Sequence, residues 1–88
     1  MAAESRLQKK IRNYLNRKGY LVVKIMLCSK PGWPDLMALR KGRTVWIEVK
    51  APGKEPEPLQ DLVHDQIREK NGIVYWVDTW EKFLELGL

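Results

Sequence analysis

A chain of 88 residues with 16 Lys and Arg against 11 Asp and Glu has room for one domain, residues 1–88, and carries a net charge of +5. A domain this small buries only about 60–65% of the surface its unfolded chain exposes, which leaves little room for a separate recognition module. One cysteine excludes an internal disulfide framework, and the absence of a secretory leader or of an apolar run near the roughly 18–20 residues that cross a bilayer predicts a soluble, intracellular protein.

In chain order, Leu7, Ile11, Tyr14 and Leu15 recur at helical spacing and predict a first helix with an inward stripe. Glu4 stands one turn above Leu7 on that stripe. A carboxylate there also suits the helix dipole, and Ser5-Arg6-Leu7-Gln8 would act as a capping box that starts the helix after Glu4. Lys9, Lys10, Arg12, Arg17 and Lys18 crowd the same helix; they would attract a phosphate backbone, and they are equally ordinary on a solvated surface. Lys18-Gly19 stops the helix, residues 20–27 read as a β-branched strand, and Cys28 after it is expected to be packed and inert. Ser29 to Pro34, with two prolines and a glycine, makes a constrained loop ending at Asp35.

Residues 36–40 and 43–49 read as a hairpin turning at Lys41-Gly42, where glycine can take the positive φ such turns need. That turn pairs Arg40 with Arg43, Met37 with Trp46 and Asp35 with Glu48. Directly opposed side chains have Cβ atoms about 4.5–5.5 Å apart, so two carboxylates meet where like charges destabilise a sheet. At about 4 Å and an effective dielectric near 20 the repulsion is on the order of 4 kcal/mol. A divalent cation reverses its sign, and Mg2+ takes one or two carboxylates while bridging to phosphate oxygens. Lys50 emerges on the same face as Glu48, about 6.7 Å along the strand, where a fixed positive charge could meet a developing phosphate charge or orient water. The competing reading is structural: Asp35 ends a loop, and Glu48 with Lys50 forms an exposed ion pair worth under about 1 kcal/mol.

Residues 51–58 form a Pro- and Gly-bearing loop into a helix over 59–70 whose stripe reads Leu59, Leu62, Val63 and Ile67. Gln60 lies at the edge of that stripe. His64, with no second His or Cys at ligand spacing, reads as a boundary residue. Asn71-Gly72 ends the helix, residues 73–77 return as a strand, and the strand–helix–strand passage predicts a parallel crossover. Thr79 would cap a last helix carrying Trp80, Phe83 and Leu84. Trp76 and Trp80 are expected in the core or on a dimer surface, with base stacking as the alternative. No repeat, phosphate-cradling glycine loop or zinc-ligand cluster is present.

Asp35 followed by Glu48-Val49-Lys50 resembles the PD-(D/E)XK nuclease signature. The wider pattern of Glu4, Pro31-Gly32-Trp33-Pro34-Asp35-Leu36, Ile47-Glu48-Val49-Lys50 and Gln60 is similar to the virus-type replication-repair nuclease (VRR-NUC) family over nearly the whole chain. Pro58, just before the Gln, stands where many members have Ser or Thr. The resemblance implies an α/β fold with the restriction-endonuclease-like core order αβββαβα, a mixed sheet flanked by helices. It implies Mg2+- or Mn2+-dependent hydrolysis of phosphodiester bonds in DNA, often branched (four-way junction) or flapped, by a homodimer in a bacterial or phage-infected cell. It also implies a metal bound by Asp35, Glu48 and the Val49 carbonyl, Lys50 as a base-like residue, Glu4 as an additional metal- or water-positioning carboxylate, and Gln60 as a supporting residue. Two other classes remain to be weighed: a basic nucleic-acid-binding module that keeps the fold without cutting, and a subunit whose sheet is only a dimerisation platform.

Overall fold

In the computed structural model, which describes residues 2–88, the elements run α1 (Ala2–Arg17), β1 (Leu21–Lys24), β2 (Leu36–Arg40), β3 (Arg43–Val49), α2 (Pro58–Glu69), β4 (Ile73–Val77) and α3 (Trp80–Glu85). The strands form one sheet in the order β1-β2-β3-β4. The β1–β2 and β2–β3 pairs are antiparallel, and β3–β4 is parallel across the α2 connection. This is the expected αβββαβα order with a mixed sheet. The hairpin register is also as expected, with Met37 opposite Trp46 and Arg40 opposite Arg43. Lys41 and Gly42 both take positive φ at its turn.

Strand alternation then divides the core. Leu36, Ala38, Val45, Ile47, Val49 and Val77 pack with Ile11 and Leu15 of α1 and Phe83 of α3. Tyr14 holds Trp80 and Phe83 edge-on at 5.5 Å each, so Trp80 belongs to the packing of this layer. On the opposite face Val63 and Ile67 of α2 pack on Val74, with Trp33 and Trp46 alongside. Thr79 caps α3 by accepting the Lys82 amide at 3.2 Å. None of the described helices is long and apolar enough to cross a membrane.

Five local expectations are corrected. Helix α1 already includes Glu4 in its first turn, so Ser5 is not its cap, and the buried stripe runs through Gln8, Ile11 and Leu15. Strand β1 stops at Lys24, four residues before Cys28. Ile25 still donates to the Asp35 carbonyl at 2.8 Å, but the next residue in register faces Pro34, which has no N–H to offer. Met26 and Leu27 are therefore 79% and 95% exposed, and Cys28 is exposed where it was expected to be packed. On α2, Leu59 and Leu62 are exposed, and the face turned to the sheet is Gln60, Val63, His64 and Ile67. That spacing is helical, but two of its four positions are polar, so an apolar-only stripe falls one residue off. His64, expected at a boundary, is 1% exposed.

Candidate active site

Asp35 is delivered by the Pro31–Pro34 loop. Gly32 takes φ +86°, and a Cβ there would stand 3.0 Å from the Leu59 carbonyl oxygen and 3.1 Å from Val63, so the loop rests directly on the start of α2. Pro34 is buried, and the Asp35 carbonyl is tied to Ile25. The side chain is aimed as well, since Asp35 Oδ2 accepts the Val49 amide at 2.9 Å.

Glu48 rises from β3 on the α2 face and is only 2% exposed. Its Oε2 accepts from Gln60 Nε2 at 3.1 Å, and Gln60 Oε1 accepts from Lys50 Nζ at 3.3 Å. The same Gln60 oxygen accepts the Glu57 amide at 2.9 Å, at the beginning of α2, where Pro58 occupies the first turn without loss of a hydrogen bond. With two donors at its oxygen and a carboxylate at its nitrogen, the Gln60 amide can face only one way. One side chain thus starts the helix and links Lys50 to Glu48.

The other Glu48 oxygen, Oε1, is buried with no hydrogen-bond partner among the described residues, and so is His64 Nε2. The two atoms stand 3.9 Å apart, beyond hydrogen-bond distance. Burial pushes the Glu48 carboxyl up to about 9, aided by the nearby Asp35 carboxyl; Lys50 opposes the shift, and the charge of Glu4 adds to it. Burial, and then the nearby Arg68, holds His64 below its ordinary range, which favours a neutral imidazole.

Asp35, Glu48, Lys50 and Gln60 are therefore brought into one connected cluster. Val49 contributes its main chain, because its side chain is fully buried on the opposite face. Glu4 is half-buried, and its charge is felt at Glu48. His64 was missed as a neighbour of Glu48; its spacing of four residues after Gln60 and three before Ile67 is the signal that could have found it.

The donor set suits a hard divalent cation. Asp35 and Glu48 are each fixed through one oxygen, Asp35 is near enough for its charge to act on Glu48, and Glu48 Oε1 has no hydrogen-bond partner among the described residues. Mg2+ needs just one or two protein carboxylates and keeps its waters. Among the described residues no group of three or more His, Cys, Asp or Glu side chains converges, as a closed all-protein site would require.

No family model matches the chain. A protein named "Putative nuclease p44" from Acyrthosiphon pisum secondary endosymbiont phage 1 is 31% identical over 65 residues, covering 73% of this chain and 70% of that protein. A solved structure described as a VRR_NUC domain has a TM-score of 0.87 and 29% identity, covering 96% of this chain and 92% of that one.

Proposed function

The chain belongs to the VRR-NUC nuclease family, and from that premise we propose that it is a Mg2+- or Mn2+-dependent DNA endonuclease that selects its substrate by shape and acts as a homodimer. The observation that carries the reading is the buried Glu48, set against Asp35 with one oxygen unpartnered, and joined to Lys50 through Gln60. A carboxyl pair held in this way is costly without a cation and useful with one.

Asp35, Glu48 and the Val49 carbonyl would hold the ion, with Glu4 as an additional carboxylate at the margin. When bound, the ion supplies Lewis-acid stabilisation of charge on the scissile phosphate and makes water more acidic. Lys50 holds a fixed positive charge beside the carboxylates, where it can orient the attacking water and offset charge on the phosphate oxygens. Gln60 keeps the Lys50 ammonium and the Glu48 carboxylate in register, and its bond to the Glu57 amide makes it part of a rigid helix start.

Shape selection follows from what the fold offers. The longest described helix, α1, carries its stripe into the core, and none of the described helices is set apart from the packed sheet as a dedicated reader of base edges. The basic residues would grip phosphates without reading sequence. A homodimer would set two centres against two strands. The test is cleavage of labelled duplex, flap and four-way-junction DNA in Mg2+, Mn2+ or EDTA. Faster cutting of a branched substrate, abolished by EDTA, supports the reading; equal cutting of plain duplex would remove the shape selection.

A further inference from the structure

On the α2 face of the sheet, the face that carries Glu48, lies a groove of about 630 Å3 that the cleavage chemistry does not use. It runs between the loop after β1 and the C-terminal half of α2, with Trp33 and Trp46 as its aromatic wall and Ile67 behind them. The two indoles meet edge to face, 5.1 Å between centroids and 79° between planes, which makes a right-angled aromatic corner. Both are bound to the catalytic residues by the chain itself. Trp33 precedes Asp35 by two residues, and Trp46 shares a face of β3 with Glu48, about 6.6–6.8 Å along the strand.

We propose that this groove binds one unpaired nucleobase of the DNA substrate, held next to the strand that is cut. The inference rests on the nuclease reading above and gives shape selection a physical means. A base within a duplex is covered on both faces by its neighbours, whereas an unpaired base at a fork or flap can leave the stack and lie on an indole. The corner accepts a flat ring on one indole while the other bounds its edge. Gln66 supplies an amide that can both donate to and accept from a base edge. Two exposed lysines, Lys30 and Lys70, stand against one acidic neighbour, Glu69, so the groove's net charge suits the attached phosphates. A groove with this volume and this apolar lining lies within the ordinary range for small organic ligands, and the place of its two indoles, two residues before Asp35 and two before Glu48, favours a part of the DNA over a separate ligand.

The test is equilibrium binding of fluorescein-labelled forked DNA to the Glu48→Gln protein, which holds the strand uncut. In a series of forks, one nucleotide of the unpaired arm at a time is replaced by an abasic tetrahydrofuran. Loss of the base at one position near the fork is expected to weaken binding about tenfold. Trp33→Ala should weaken binding of the intact fork by a similar factor and become indifferent to the abasic position, while Trp33→Phe should keep the sensitivity. Equal binding across the abasic series, or an undiminished abasic penalty in Trp33→Ala, would overturn the groove assignment and leave the nuclease reading standing. Failure of the parent protein to bind any fork would overturn both. Should Trp33→Ala not fold, the abasic series on the parent and on Trp33→Phe still decides.

Discussion

Glu48 carries a proton that the unfolded chain would give up. Its carboxyl sits at about 9 in the folded protein against an ordinary 4.5, so between these values folding takes up a proton and stability falls as pH rises, by up to about 1.4 kcal/mol per unit. His64 and Asp78 act on the acid side, since both are shifted down and lose their contribution as pH falls, His64 below its ordinary 6.5. From pH 6.5 to 9 the Glu48 slope stands alone among the shifted groups. In EDTA the urea midpoint should therefore drop over that interval. The drop should vanish in Glu48→Gln and flatten in excess Mg2+, where the cation takes the place of the proton. A slope that survives Glu48→Gln would place the cost elsewhere. Gln60→Ala removes the link between Lys50 and Glu48 together with the bond to the Glu57 amide. It should lower kcat/KM about 10- to 100-fold while costing only about 1 kcal/mol of stability, as read by steady-state cleavage and urea unfolding.

At the level of elements, the site depends on the seat of the Pro31–Pro34 loop on α2. Gly32→Ala adds a Cβ at φ +86° against a backbone oxygen that cannot swing aside. It should cost about 1–3 kcal/mol, measured by chemical denaturation, and should slow cleavage at temperatures where the protein remains folded, because the loop that must move carries Asp35. The central hairpin was legible in the sequence, because Lys41-Gly42 fixes the turn and the turn fixes every pair down to Leu36 and Ile47. The end of β1 was not legible from its own residues: β-branched character continues to Ile25, but the strand stops where its partner becomes Pro34. The face of α2 was misplaced for a related reason. Gln60 turns inward because Glu48 and Lys50 supply it with polar partners, His64 lies one turn further along the same face, and that partnership is invisible to a pattern of apolar residues alone. The two most polar positions of the helix face are thus those nearest the chemistry, and Gln60 was identified through its place in the family motif rather than through periodicity.

For the whole molecule, a net charge of +5 predicts DNA affinity that falls steeply between about 50 and 200 mM salt, with little dependence on sequence, in a titration against unrelated duplexes. The proposed homodimer would form at the β1 edge of the sheet, where Leu21 is 61% and Val23 39% exposed. Sedimentation should give a species of twice 10.3 kDa, and Val23→Lys should shift it to monomer; a monomer at all concentrations would remove the homodimer. The central claim is that Asp35, Glu48 and Lys50 form a metal-dependent cleavage centre. Its most direct test is cutting of labelled forked and four-way-junction DNA by the wild-type protein and by Glu48→Gln, with binding measured in parallel. The account predicts Mg2+- or Mn2+-dependent cutting by the wild type, at least about a hundredfold slower in the variant, with DNA binding retained by both. Binding without cutting by the wild type, or cutting that survives Glu48→Gln, would contradict it.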